Sequence, residues 1–473
     1  MLAVILSWSL IGAPAWQRLP LGHDWYGVYL QGKKVGYLES TTQRLSHNRQ
    51  TVLHTSQRMV AHVAGMGQNV EVEVLNEHDF DWAKGKLIDL TFKQTSPTGA
   101  VTVSAKQKSD HLDVTFTAAG ESRISSEAII ETINTINAGE LLAIDPNAGT
   151  GRKMHVKTFD ASLQKIIDID YQLSQIETRV LDGVPTSVRH ILSTIPSVNI
   201  QEESVYAANG QVLESKIAGL FTMRLEDEKR AKDVGYSEDV LVTFVVPVDP
   251  LIDDPKTIRE FEVTLEGADG YMLPQSARQS STTKDGKQDV TIKQENASEQ
   301  NSKNLPFKAN DFSAELKPES LIQSDAPEIR RMAKEVVGDE KNSYRAAKKL
   351  LDWTYRYVEK AYVPAVSNAL EVLKTHRGDC GEHAVLFVAL ARAAGIPARP
   401  VVGITYWPPG NGFGYHAWAE IYVGQWIAVD PTQDSMHADA THIQLAGGDL
   451  AEQARITVLI GKLKAHVEHI KRE

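Results

Sequence analysis

The chain has a single cysteine, Cys380, among its 473 residues. One thiol cannot form an intrachain disulfide, and it cannot build a zinc site of paired cysteines. Whatever chemistry Cys380 supplies must therefore come from a free thiol.

Clusters of positive charge are also missing. Fifty Lys and Arg residues stand against 61 Asp and Glu residues, which gives a formal net charge of -11. Nucleic acids and anionic membranes are bound through clustered Lys and Arg side chains. We therefore expect neither as a partner, and the mixed-charge run at residues 226–233 predicts only a solvated surface.

No stretch of the sequence reaches 18 apolar residues, so a membrane span is not expected. The apolar run at residues 2–11 is followed by small residues at Ala13 and Ala15, which predicts a signal peptide over residues 1–15. No Lys or Arg precedes this run, which leaves a mis-assigned start, an uncleaved anchor or a buried first strand as alternatives. After removal of the signal peptide, we expect a periplasmic or secreted protein.

The first half of the sequence alternates apolar and polar residues, as β-strands do. Residues 24–39 alternate about a turn at Gly32, residues 204–225 predict a hairpin, and residues 129–136 are the main candidate for a helix. We predict an antiparallel β-rich domain over residues 16–240. A Pro- and Asp-rich boundary then introduces a small β domain with its linker, over residues 241–305.

In the remaining residues, 306–473, the alternation gives way to apolar residues that recur with the spacing of an amphipathic helix. Asp379 and Glu382 form a capping-box pattern before the apolar run at residues 384–394, and Gly395 ends it. Cys380 is therefore predicted to be the first residue of a buried helix. The helix dipole and the free N–H groups there are expected to lower the thiol pKa and to stabilise an oxyanion.

A thiolate nucleophile needs a base, and the base needs an orienting group. Residues 414–430 predict a hairpin with His416 on its first strand and Asp430 at the end of its second. A two-residue loop would put these two side chains on opposite faces. A loop of three residues, or a one-residue bulge, places Tyr422 across from Trp426 and brings Asp430 to the face of His416. We therefore predict the odd-length turn.

The strings RGDCGEHA, GIPARPVVG, YHAWAE and WIAVDPT occur in this order between residues 368 and 449. Together they resemble the catalytic core of the bacterial transglutaminase-like superfamily, and the resemblance covers about the last third of the chain. It implies an α+β fold, in which a β-rich N-terminal region precedes a papain-like core with the Cys helix packed on an antiparallel sheet. It also implies Cys380 as nucleophile, His416 as general base and Asp430 as the residue that holds the imidazole.

Other side chains near these strings give weaker signals. His437, Asp439 and His442 could suggest a metal site, but their spacing fits no strong template. His383 and Trp418 could either line the site or pack in the core. A second oxyanion donor is not identifiable, although two polar residues lie upstream where one could come from, Tyr362 and Asn368.

The predicted function is thiol acyl transfer on protein or peptide amide bonds through a Cys thioester, without a metal or an organic cofactor. Water as acceptor would make the protein a protease or amidase, and an amine would make it a transglutaminase. The expected partner is a protein or peptide substrate, including components of the cell envelope. The alternative is an envelope binding protein whose transglutaminase-like site is vestigial.

Overall fold

The computed structural model describes residues 14–47, 50–65, 68–97, 99–181, 183–235, 244–307, 311–362 and 368–472. The predicted signal peptide falls almost wholly outside these residues, and so does the predicted boundary at residue 240. Within the described ranges, no helix is both long and apolar enough to cross a bilayer. The chain is mostly β, with 50% of its residues in strands and 20% in helices.

The N-terminal half forms one sheet of 14 strands, all paired antiparallel with their neighbours. Apolar and polar side chains alternate along these strands, so that one face is buried while the other stays polar. The strands are β1 (Gly22–Leu30), β2 (Lys33–His47), β3 (Gln50–Gly65), β4 (Gln68–Asp81), β5 (Leu87–Ser96), β6 (Gly99–Gln107), β7 (Leu112–Ala118), β8 (Glu121–Glu127), β9 (Lys153–Asp160), β10 (Lys165–Leu181), β11 (Val184–Ile195), β12 (Ile200–Ala207), β13 (Val212–Ile217) and β14 (Phe221–Glu226).

The chain runs from β1 to β8 through successive hairpins and then crosses over to β9. The crossover contains α1 (Ile133–Ile136) and α2 (Ala138–Ile144), where a helix was predicted slightly earlier in the chain. The strands then return from β9 to β14, which pairs with β1, and α3 (Glu228–Lys232) follows. Strands from the two ends of this region are therefore neighbours.

A second sheet of nine strands begins at Val246. Two short strands, β19 (Glu359–Lys360) and β20 (Arg377–Gly378), form a separate parallel pair. The remaining strands are β15 (Val246–Asp249), β16 (Ile258–Glu266), β17 (Gln279–Lys284), β18 (Lys287–Lys293), β19 (Glu359–Lys360), β20 (Arg377–Gly378), β21 (Ala398–Trp407), β22 (Gly412–Tyr422), β23 (Trp426–Val429), β24 (Ile443–Gly447) and β25 (Lys464–Arg472).

Strand β25 connects the two parts of this second sheet. It pairs antiparallel with β16 on one side and parallel with β15 on the other, and β15 in turn pairs with β22. The predicted small β domain and the region after it thus share one sheet. The division of the chain at residue 305 stays a prediction.

The helices of the C-terminal region pack on one face of this sheet. Helix α8 (Cys380–Ala393) is buried along most of its length. Its side chains Phe387 and Leu390 share a core with Ile421 and Val429 of the sheet, and all four are fully buried. The helices are α4 (Ser313–Leu316), α5 (Pro327–Val337), α6 (Ser343–Tyr357), α7 (Ala369–Thr375), α8 (Cys380–Ala393) and α9 (Leu450–Ala454).

Candidate functional site

Cys380 is the first residue of α8, as predicted. The Asp379 side chain accepts a hydrogen bond from the backbone N–H of Gly381 at 3.0 Å, and Glu382 accepts one from the N–H of Asp379 at 2.8 Å. This reciprocal capping box fixes the start of the helix. Gly378 precedes it because a Cβ there would lie 2.1 Å from the Cβ of Glu382.

The predicted odd-length turn is confirmed by the register of β22 and β23. Tyr422 lies opposite Trp426, and Ala419 lies opposite Val429. The three residues 423–425 form the turn, with Gly424 at a positive φ of 128°. Because Asp430 follows directly on Val429, it lies on the same face of the hairpin as His416.

The three predicted site residues lie together. His416 donates its Nε2–H to Asp430 Oδ2 at 2.8 Å, and the Asp430 side chain is fully buried. The other Asp430 oxygen accepts the backbone N–H of Thr432 at 2.8 Å. The thiol of Cys380 interacts with the His416 imidazole and with the backbone N–H of Ala417. Since Nε2 is occupied, Nδ1 is the ring nitrogen available to the sulfur.

Buried charges control the protonation of the imidazole. Burial alone lowers the pKa of His416, but the charge of Asp430 and the hydrogen bond to it outweigh burial and raise this pKa to about 10. Burial raises the pKa of Asp430, but the neighbouring imidazoles hold it well below its usual range. At neutral pH the two residues therefore form an imidazolium–carboxylate ion pair.

The prediction of a lowered thiol pKa is wrong. Burial raises the pKa of Cys380, and the charge of Asp379 raises it further. The His416 imidazole and the Ala417 N–H lower it, but they do not outweigh the first two effects. The residue that caps the helix thus places a negative charge beside the sulfur, which opposes the helix dipole. At rest the sulfur is a thiol.

Sequence reasoning missed a second histidine that binds Asp430. His442 is 1% exposed, with its Nε2 3.3 Å from Asp430 Oδ2 and its Nδ1 3.4 Å from Asp439 Oδ1. Burial lowers the pKa of His442, but Asp439 and Asp430 outweigh burial and raise it to about 9. Two carboxylates and two imidazoliums, Asp430, Asp439, His416 and His442, thus form a balanced charge cluster. The sequence feature that could have revealed this cluster is the spacing of Asp439 and His442, which we considered only as a possible metal-binding pattern.

The three residues that could have suggested a metal site, His437, Asp439 and His442, do not come together in the described part of the chain. His437 lies apart, with its Nε2 3.1 Å from the hydroxyl of Tyr344. The donor atoms of His416, Asp430 and His442 do lie within 4.8 Å of one another. These donors are already joined by hydrogen bonds, so their proximity needs no metal ion to explain it.

Cys380 and His416 line a cleft of about 1100 Å³. Three segments that are distant from Cys380 in the sequence contribute to its walls, within residues 163–165, 272–276 and 314–322. The first of these is the turn between β9 and β10, so the N-terminal sheet forms part of the cleft. Lys165 on this turn makes an ion pair of 2.5 Å with Asp449. Nothing in the sequence predicted this contribution.

The weaker candidates lie outside the cleft lining. His383 is fully buried and donates its Nδ1–H to the carbonyl of Asp379 at 2.6 Å. Trp418 is 1% exposed and packs against the rings of His416 and His442, with centroid distances of 6.2 and 5.3 Å. The two upstream residues have structural contacts, since Asn368 caps α7 and Tyr362 packs against the N-terminal sheet.

Comparison with known proteins places a family domain over this site. Residues 330–431 match the family model described as Transglutaminase-like superfamily, so the chain carries a transglutaminase-like domain there. A search of the curated proteins gave no match.

Two solved structures are among those similar to the chain. One is a "putative cysteine protease" from Cytophaga hutchinsonii, 19% identical, covering 46% of this chain and 86% of that chain with a TM-score of 0.31. The other is a "putative protease" from Parabacteroides distasonis, 12% identical, covering 74% of this chain and 68% of that chain with a TM-score of 0.20.

Proposed function

We propose that the chain is an exported enzyme that transfers acyl groups from protein or peptide amides to its Cys380 thiol. The observation that carries this proposal is the position of the thiol, at a helix N-terminus in a large cleft and against an imidazole paired with a buried carboxylate. Nucleophile, base and orienting group are the three parts that covalent catalysis on an amide requires. The packing of the Cys helix on the sheet agrees with a papain-like core.

The reaction starts with a thiol and an imidazolium. Loss of one proton from this coupled pair gives a thiolate next to the imidazolium, which is the attacking form. The sulfur adds to the amide carbonyl, and the negative charge moves to the carbonyl oxygen. The backbone N–H of Cys380 stabilises this oxyanion, because the N–H groups of Gly381 and Glu382 already donate to the Asp379 side chain.

Collapse of the oxyanion breaks the C–N bond. His416 gives its proton to the departing amine, and the acyl group stays on Cys380 as a thioester. Water or a primary amine then attacks the thioester, with His416 accepting the proton of the attacking group. The first acceptor gives hydrolysis, and the second gives amine transfer.

Asp430 keeps the imidazole oriented through these steps. Its hydrogen bond to Nε2–H holds Nδ1 toward the sulfur, and its charge stabilises the imidazolium that forms during attack. No step requires a metal ion or an organic cofactor.

The test is incubation of the purified protein with a glutamine-rich protein and a primary-amine probe. Mass spectrometry separates the outcomes, because amine addition, deamidation and backbone cleavage change the substrate mass differently. We expect one of the three with wild type and none with Cys380→Ala. Equal product from Cys380→Ala, or labelling of Cys380 by iodoacetamide that is unaffected by His416→Gln, would overturn the enzyme proposal and favour a vestigial site.

A further inference from the structure

On one face of the N-terminal sheet, side chains that lie opposite one another on adjacent strands form rows. Two of these rows are polar, although the rows on either side of them are apolar. In one row across β2, β3 and β4, Thr42 lies opposite Thr55, which lies opposite His78. In the next row on the same face, Ser40 lies opposite Gln57, which lies opposite Asn76. We call these six residues the polar band.

Apolar rows flank the polar band on this same face. Leu53 and Phe80 lie opposite each other beyond the first row, and both are fully buried. Leu38 and Met59 lie opposite each other beyond the second row, and Leu38 is paired with Tyr26. A sheet face that packs on a core is normally apolar throughout. The polar band therefore separates two apolar parts of this face.

A cavity of about 330 Å³ lies over the polar band. All six band residues line it, and the opposite wall is formed by the 209–212 turn, by Glu140 of α2 and by residues 136 and 137 just before that helix. Among the residues that the structure describes, none makes a hydrogen bond to a side chain of the band. Asn137 Oδ1 on the opposite wall is buried without a hydrogen-bond partner in the described chain. Five of the band side chains are half-buried and Gln57 is exposed, which leaves their hydrogen-bonding groups available to a ligand in the cavity. The buried Asn137 Oδ1 needs a donor that the described chain does not supply, since buried polar groups in folded proteins are usually satisfied.

Among the described residues no Lys or Arg lines the cavity, and its titratable side chains are His78, Glu140, Asp24 and Tyr26. Burial lowers the pKa of His78 to about 4, so its imidazole is neutral. Burial raises the pKa of Glu140, which lines the same cavity, to about 7. Asp24 accepts a hydrogen bond of 2.8 Å from the amide of Gln211. The remaining polar lining consists of neutral hydroxyl and amide groups.

We propose that this cavity binds a neutral, hydroxyl-rich molecule of the size of a monosaccharide or disaccharide. Hydroxyl and amide side chains on the band donate and accept hydrogen bonds as sugar hydroxyls do. The apolar wall made by Tyr26, Leu38 and Met223 matches the apolar face of a sugar ring. This site lies in the N-terminal sheet and does not depend on the reaction proposed for Cys380.

The test uses the full chain carrying Cys380→Ala, so that turnover cannot complicate binding. Glucose, N-acetylglucosamine and maltose are titrated by calorimetry, with glutamate and spermidine as charged probes. We expect at least one sugar to bind with a Kd on the order of millimolar or tighter, and neither charged probe to bind. Failure of all three sugars, or a preference for a charged probe, would overturn the proposal.

Matched variants locate the site. Thr42→Val combined with Gln57→Met removes two hydrogen-bonding groups at nearly constant volume and should weaken sugar binding about tenfold. Thr41→Val makes the same substitution one residue away, on the opposite face of β2, and should leave binding unchanged. Asn137→Leu tests the opposite wall independently. Thermal unfolding identifies any variant that has lost its fold. Unchanged binding in both the double variant and Asn137→Leu would refute the assignment.

Discussion

The two sheets of this protein use their polar side chains in opposite ways. In the C-terminal region, the carboxylates of the charge cluster are hydrogen-bonded within the protein, since Asp430 and Asp439 each accept hydrogen bonds from neighbouring residues. In the N-terminal sheet, the polar band faces a cavity and its side chains have no hydrogen-bond partners among the described residues. Groups that must hold reacting atoms in fixed positions are paired within the protein. Groups that recognise a ligand are left unpaired until the ligand arrives.

The largest effect expected from this contrast is on the reaction rate. Asp430→Asn removes the charge that holds His416 as an imidazolium, and it should lower the rate of amide turnover about 10⁴-fold. Asp439→Asn is the matched control, because Asp439 belongs to the same cluster but contacts His442 and not His416. It should lose far less activity. The mass assay with the glutamine-rich substrate measures both, and equal losses would show that the whole cluster acts as a unit.

The next effect is on stability, and the same substitution can be made in both regions. The buried Thr441 hydroxyl donates to Asp439 at 2.6 Å, so Thr441→Val should cost about 1.5 to 3 kcal/mol. Thr55→Val in the polar band removes no hydrogen bond within the described chain and should change stability by less than about 0.5 kcal/mol. Urea unfolding measures both. If Thr55→Val lowered the free energy of unfolding as much as Thr441→Val, the Thr55 hydroxyl would have a hydrogen-bond partner within the protein.

A further effect is on the pH dependence of thiol labelling. Asp379 raises the pKa of Cys380, so Asp379→Asn should lower it and speed alkylation at neutral pH, while asparagine keeps the helix cap. His416 lowers the same pKa, so His416→Gln should raise it and move labelling to higher pH. Iodoacetamide rates measured across the neutral and alkaline range test both directions. Shifts of the same sign in the two variants would contradict the assignment of these effects.

The smallest effect concerns the contact between the two regions. Lys165 and Asp449 are 44% and 40% exposed, so their ion pair is screened by solvent. Lys165→Met should therefore change the stability by less than about 0.5 kcal/mol, as exposed pairs usually do. Its thermal midpoint should match that of wild type. A loss above about 1 kcal/mol would mean that this pair holds the N-terminal sheet against the cleft.

The parts of the site that depend on neighbouring residues could be predicted from sequence. The cap at Asp379, the start of α8 and the turn between Tyr422 and Trp426 follow from rules that act over a few positions. The thiol pKa was predicted with the wrong sign, because burial depends on the whole domain rather than on the helix terminus. His442 was missed as a partner of Asp430 because their contact depends on how two segments fold back on each other.

The N-terminal region shows the limit of such prediction more clearly. Alternation predicted strands and hairpins, and the large β-rich region is present. The polar band gives no local motif, because its residues come from three strands and meet only in the folded register. Likewise, the turn at residues 163–165 reaches the cleft through packing of the whole sheet.

The position of β25 bears on the order in which the second sheet assembles. This strand lies between β15 and β16, although it is made after every other strand of the sheet. While residues 464–472 are still inside the ribosome, the nascent chain cannot join these parts of the sheet. The joining of β16, β17 and β18 to the strands that carry His416 and Asp430 therefore waits for β25, because this strand supplies the pairing between them.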